Sequence, residues 1–152
     1  MSEMTRDITI AVFVVHGEKV LLHKHKKLGI WLPLGGHIEP NELPEEAVVR
    51  EAKEESGLDI EIADTETESQ PGGEGVRFLK RPEHLLLEDI VPGHQHIDMI
   101  YYALCDTFLI SPPDGESKEI KWFKAEELDD LGAPANVSVL AKEALLKLGK
   151  NT

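Results

Sequence analysis

The stretch GHIEPNELPEEAVVREAKEESGL, residues 36–58, sets Glu42, Arg50, Glu51, Glu54, Glu55 and Gly57 in order behind a Gly35-Gly36 pair. Pro44 suits the first turn of a helix, Glu45 and Glu46 favour its positive end, and Gly57 suits its close. A helix is therefore expected over about 44–56, with Ala47, Val48 and Ala52 as its apolar side. Leu43 is a poor N-cap, so the start is less firmly held. Glu51 has Glu54 three residues on and Glu55 four residues on, so the three are surface neighbours. At about 100° per residue they span an arc of roughly 100°. Like charges at that spacing destabilise a helix by about 0.2–0.5 kcal/mol per pair. A cation on this face would relieve them. The face offers oxygen donors and neither Cys nor His, which suits a hard ion such as Mg²⁺ and phosphate chemistry rather than zinc. The competing reading is an ordinary solvated face, with Arg50 and Lys53 as the partners of the acids.

Composition narrows the class. The chain has 152 residues, 41% hydrophobic and 30% charged, as expected for one ordinary globular domain over 1–152. No apolar run approaches the ~20 residues that span a bilayer. The N-terminus shows no signal-peptide pattern, and with a single cysteine, Cys105, no intrachain disulfide forms. A cytoplasmic location without a membrane partner is the expectation, with Cys105 as a core residue of an apolar strand. A net charge of −13 argues against binding a nucleic-acid polymer. It also means that metal and local Arg or Lys must reverse the field at any phosphate site.

Working outward, residues 7–15 form a β-branched apolar run that reads as a buried strand. The turn at 16–18 leads to a hairpin partner over 19–26. Residues 27–41 read as loop with short extended pieces, and 58–63 as a strand. Residues 64–82, with Pro71, Gly72, Gly73 and Gly75, are the most loop-like part of the chain. Strands over 85–91 and 97–109 are expected to pair antiparallel around Pro92-Gly93. A last strand is expected over 117–123, with helices over 125–131 and 137–148, the second amphipathic. Strands around one central helix, with helices at the end, give an α/β (α+β) class with a mixed sheet between helical layers.

The spacing Gly36, five residues, Glu42, seven residues, Arg50-Glu51-Ala52, one residue, Glu54-Glu55, one residue, Gly57-Leu58 matches the Nudix box at every defined position. The chain thus resembles the Nudix (MutT-like) hydrolase family. Trp31-Leu32-Pro33 ahead of the glycines, and Trp122-Phe123 followed by Glu126-Glu127-Leu128, are similar to the family as well. Leu34 between Pro33 and Gly35, and Leu43 before Pro44, depart from it. The resemblance implies an α/β/α sandwich. It implies Mg²⁺- or Mn²⁺-dependent attack of water on the diphosphate linkage of a small nucleoside diphosphate derivative. Nucleoside triphosphates, ADP-ribose and nucleotide sugars all fit. Homodimers are common in the family, although nothing in the sequence marks an interface.

Carried over residue by residue, the resemblance makes Glu51, Glu54 and Glu55 metal ligands, with the Gly35 carbonyl as a further one. Arg50 would orient the glutamates and Glu42 would steady the loop-helix geometry. The general base is a box glutamate or a loop residue outside it, with Glu116 ahead of Glu119. His37 and His96 are assigned to substrate binding. Trp31, Phe78, Tyr101 and Tyr102 stack on a base or pack in the core.

Two rival functions come from other classes. A Nudix domain that senses a nucleotide or metabolite without cleaving it would bind ligand and release no product. A zinc-binding structural protein would use the alternating His94, His96 and Asp98, which share one strand face, or His23 and His25.

Overall fold

The computed structural model describes residues 3–68, 70–116 and 119–150. The chain runs β1 (Thr5–His16), β2 (Lys19–Lys24), β3 (Trp31–Leu32), β4 (Leu34–His37), α1 (Pro44–Ser56), β5 (Glu61–Ile62), α2 (Thr65–Glu68), β6 (His84–Val91), β7 (His94–Leu104), β8 (Ile120–Phe123), α3 (Ala125–Leu128) and α4 (Ala135–Leu148). Ser117 and Lys118, the start of the expected last strand, lie outside the described residues.

β1 is apolar on both faces because both are covered. Ile10, Val12 and Val14 enter one core with Ala47, Val48 and Ala52 of α1. Ala11, Phe13 and Val15 enter a second core with Val137, Leu140, Ala141 and Ala144 of α4. The sheet therefore lies between α1 and α4, and the α/β/α sandwich expected from the sequence is the fold observed. β1 runs parallel to β7 from Thr5–His94 to Val15–Leu104. Its other edge is shared: β2 pairs antiparallel at Val15–Val20 and His16–Lys19, and β4 pairs antiparallel from Thr9–His37 to Val12–Leu34. β3 and β8 extend the sheet from β2, and β5 and β6 from β7, all antiparallel. The mixed sheet thus splits beside β1, with β4 on one side of the gap and β2 on the other.

Several boundaries differ from the sequence reading. β5 is two residues long because Leu58 and Ile60 pack into the α1 core while their backbone stays outside the ladder. β7 ends at Leu104, short of residue 109. Beyond it the chain leaves the sheet, so that Phe108 packs edge-on against His16 and Trp122, and the Trp122 indole N–H donates to the Phe108 carbonyl at 2.9 Å. Cys105 therefore lies just past the strand and is only partly buried, contrary to the core position expected. Within 64–82, the buried Asp64 accepts N–H bonds from Thr67 and Arg81 and ties the ends of this segment together. Among the described residues, no helix is long and apolar enough to cross a membrane.

The helix that carries the acids starts and ends as its residues dictate. Leu43 has no side-chain acceptor, so only the reverse half of a capping box forms, with its N–H donating to Glu46 Oε1 at 2.8 Å. At the other end Gly57, with φ 78°, supplies the left-handed C-cap.

β4 lies unusually close to β1. A Cβ on Gly35 would stand 2.2 Å from the Ile10 carbonyl oxygen and 2.9 Å from Ala11 Cα. Both are backbone atoms, which cannot yield as a side-chain tip can. We expect Gly35→Ala to cost about 1–3 kcal/mol through overpacking, read as a lowered denaturation midpoint.

Candidate active site

α1 and β4 together present the acids. The Arg50 guanidinium is the hub of the group. Its Nε and Nη2 bond both oxygens of Glu42, at 2.7 and 3.0 Å, in the two-pronged geometry that suits a planar guanidinium. Nη1 reaches Glu51 Oε1 at 3.0 Å and Glu54 Oε2 at 3.2 Å, and Nη2 also reaches the His37 carbonyl at 3.1 Å. Glu42 in turn accepts the Glu39 N–H at 3.0 Å, which closes the loop ahead of the helix. The structure thus brings Arg50, Glu42, Glu51 and Glu54 into one cluster. Gly36 makes room for it: a Cβ there would stand 2.5 Å from Glu51 Oε1 and 2.8 Å from its carboxyl carbon.

Glu55 points elsewhere. It lies at the gap between β4 and β2, accepting the Gly35 N–H on Oε1 at 2.8 Å and placing Oε2 3.7 Å from His23 Nε2. Gly35 therefore contacts the acids through its N–H, a donor the sequence reading did not foresee.

The acids differ in environment. The Arg50 hydrogen bonds hold the Glu42 carboxyl below its usual range, and the arginine itself is pushed up, first by Glu42. Burial pushes Glu51 up against the pull of Arg50, with the charges of Glu54 and Glu116 adding to the rise. Burial pushes Glu55 to about 8, against the Gly35 N–H, with Glu51, Glu116 and Glu54 adding. His23 is held down to about 4 by burial first and then by His25. An ion pair would favour the charged form of both Glu55 and His23. At 3.7 Å the contact is too long for a hydrogen bond, and desolvation works against the charged form of both.

Two connected depressions adjoin Glu55. A cleft of about 310 Å³ runs between the sheet and α4, walled in part by Thr9, Gly35, Glu88, Asp98, Asn136 and Leu140. Its opening is lined by Asp7, His25, Lys26, Lys27, His94 and Glu116. His23, His25, His37 and His96 line both. Glu116 thus stands on the same opening as Glu55, whereas Glu119 pairs with Lys24 at 3.6 Å. The His37 and His96 rings meet edge-on with centroids 5.1 Å apart. Burial, followed by the charges of His37 and His94, lowers His96.

Three residues on this cleft had no role in the sequence reading: Asp7, Thr9 and Glu88. Asp7 and Thr9 come together with β7 only through the parallel β1–β7 register, which no local pattern encodes. Asp98, grouped with His94 and His96 in the zinc reading, is instead buried on the cleft floor, where it accepts the Thr9 hydroxyl at 2.9 Å and hydrogen-bonds Glu88. Tyr101 and Tyr102 are each 1% exposed and belong to the two cores, not to base stacking. Tyr102 packs edge-on against Phe13 and donates its hydroxyl to Glu143 at 2.8 Å. Trp31 packs edge-on against Phe123, and Phe78 is exposed.

Residues 5–142 match the NUDIX domain family. No curated protein sequence matches the chain. Among solved structures, a NUDIX-family hydrolase from Clostridium perfringens is 45% identical, with a TM-score of 0.83, covering 93% of this chain and 97% of its own. A C. elegans Ap4A hydrolase in a binary complex is 18% identical, with a TM-score of 0.69 and coverages of 93% and 98%. The MutT protein of Methanosarcina mazei Go1 is 17% identical, with a TM-score of 0.70 and coverages of 97% and 98%. The last two share the fold.

Two expectations follow from the site geometry. Gly36→Ala forces the Glu51 carboxyl aside while leaving backbone packing nearly intact, so activity should fall with a much smaller loss of stability than in Gly35→Ala. Steady-state rates and melting curves on both variants separate the two. The second concerns Glu88, which burial, the charge of Asp98 and a hydrogen bond to it push from 4.5 to about 7. A raised folded value means the native state holds the proton longer than the unfolded chain. The stabilisation is full below pH 4.5 and is lost as pH rises to about 7. The parent should therefore lose melting temperature between pH 5 and pH 8, and Glu88→Gln should flatten that fall.

Proposed function

The chain belongs to the NUDIX family and is a pyrophosphohydrolase of it, and from that premise we propose that it cleaves the diphosphate linkage of a nucleoside diphosphate bearing a further group, with Mg²⁺ or Mn²⁺ as cofactor. The observation that carries this reading is the gathering of Glu51 and Glu54 on one guanidinium beside Gly36, with Glu55 on the same helix held by the Gly35 N–H and feeling the charges of both. The donors on this α1 face are carboxylate oxygens, the set that hard divalent ions prefer. Glu55, kept neutral by burial, is a carboxyl that a bound cation would ionise. The residues therefore fit such an ion, with Glu51, Glu54 and Glu55 to hold it.

When bound, the ion supplies charge neutralisation on the phosphate oxygens and a place to align the attacking water. The protein's own groups do the rest. Arg50 positions Glu51 and Glu54, and Glu42 fixes Arg50 from the far side. Lys26 and Lys27 at the opening give local positive charge to an otherwise acidic chain, as a phosphate-bearing substrate requires. Glu116 lines the same opening as Glu55 and takes the proton from the attacking water. His37 and His96 line the route by which the substrate enters. A net charge of −13 argues against a nucleic-acid polymer as the partner.

Glu54→Gln and Glu55→Gln should each abolish Mg²⁺-dependent turnover across a panel of diphosphate compounds, with melting temperatures close to the parent. The Glu55→Gln amide keeps an acceptor oxygen for the Gly35 N–H, so the packing is kept. Full activity in both variants would overturn the reading. Glu116→Gln should lower kcat by about 10²-fold or more, as loss of a general base does, and leave the metal dependence unchanged.

A further inference from the structure

A second group of potential metal ligands lies on the sheet face that looks away from α1. Asp7 on β1, His37 on β4 and His96 on β7 each offer one ligand atom, and all three atoms lie within 4.8 Å of one another. Among the described residues, no other group of three or more His, Cys, Asp or Glu meets this geometry; Glu51, Glu54 and Glu55 do not. Three strands converge to make it. The parallel register sets Asp7 beside His96, and the antiparallel register sets His37 beside Thr9, two residues along β1 from Asp7 and on the same face.

The spacing already resembles that of a coordination shell. His37 Nε2 is 3.1 Å from Asp7 Oδ2, and His94 Nε2 approaches the same oxygen at 3.3 Å. Two ligand atoms bound tetrahedrally at about 2.1 Å from an ion stand about 3.4 Å apart. The rings of His37 and His96, and of His96 and His94, pack edge-on at 5.1 and 5.2 Å around that carboxylate. His94 is oriented from behind: its Nδ1 lies 2.8 Å from the Thr5 hydroxyl, which directs Nε2 inward. Such outer partners fix the tautomer and direction of metal-binding imidazoles.

We propose that Asp7, His37 and His96, with His94 at the edge, form a second metal site. It is distinct from the α1 glutamates and selective for a zinc-class divalent transition ion. Two imidazoles and one carboxylate suit such ions, whereas Mg²⁺ prefers oxygen. Three protein ligands leave a position open to water or a phosphate oxygen, and the site stands on the opening that Lys26 and Lys27 share. His37 links the two centres, because its carbonyl accepts Arg50 while its ring faces Asp7.

The test uses metal alone, so it is independent of hydrolysis. Untagged full-length protein is stripped with chelator and titrated with Co²⁺ and with Zn²⁺ in excess Mg²⁺. One equivalent should bind, with the visible Co²⁺ bands of an imidazole-containing low-coordinate site. Asp7→Asn and His96→Gln should each weaken binding at least about tenfold, and Thr5→Val by about tenfold, while Glu51→Gln and Glu54→Gln leave it unchanged. In the parent protein, Zn²⁺ should shift the ring-nitrogen resonances of His37 and His96 but not those of His16, a measurement that needs no variant to fold. Complete displacement by Mg²⁺, unchanged affinity in Asp7→Asn and His96→Gln, loss of binding in the α1 variants, or unmoved His37 and His96 resonances would overturn the proposal.

Discussion

The backbone at Gly35 and Gly36 passes through a space that a side chain enters only by displacing the Ile10–Ala11 backbone or the Glu51 carboxyl, and the arrangement of the site depends on it. On one side the Ile10 carbonyl and Ala11 Cα block any Cβ at Gly35; on the other, the Glu51 carboxyl blocks one at Gly36. Because neighbouring residues of a strand face opposite ways, the two glycines serve opposite layers. One lets β4 join β1, and the other lets α1 lay its acids against the strand. The Gly35 N–H then holds Glu55 in the gap beside β2. Strand pairing, helix placement and carboxylate position are thus one constraint met by two adjacent residues.

Electrostatics follows from that geometry. Four carboxylates, from Glu39, Glu42, Glu51 and Glu54, lie within ion-pair distance of Arg50. One guanidinium cannot neutralise four charges, so burial settles what pairing leaves over. Glu42, bonded by two prongs, is held low; Glu51 is pushed up; Glu55, without a cation, goes to about 8. A divalent cation near Glu51 and Glu55 would draw both carboxyls back down, by favouring their charged forms.

Much of the architecture was legible because periodicity reports burial. The run at 7–15 marked a strand covered on both faces, the Pro44-to-Gly57 pattern marked a helix with observed bounds of Pro44–Ser56, and Pro92-Gly93 marked the β6–β7 hairpin. Misreadings fell where apolar residues serve packing rather than pairing. Leu58 and Ile60 looked like strand but fill the α1 core, and Phe108 looked like strand but covers His16 and Trp122. Alternation counts apolar residues and cannot tell a ladder from a loop that packs.

By itself the sequence determined the fold class and the family, because the box spacing and helix signals are local and survive without knowledge of neighbours. It also determined that Arg50 and the three glutamates share a helix. Only the tertiary structure decided that Glu55 turns from Arg50 toward Gly35 and His23, that Glu88 and Asp98 meet on the cleft floor, and that Asp7 joins His37 and His96. Those contacts cross 10 to 89 positions and depend on strand register. Register is set by which faces the two cores bury, and no short motif records that choice.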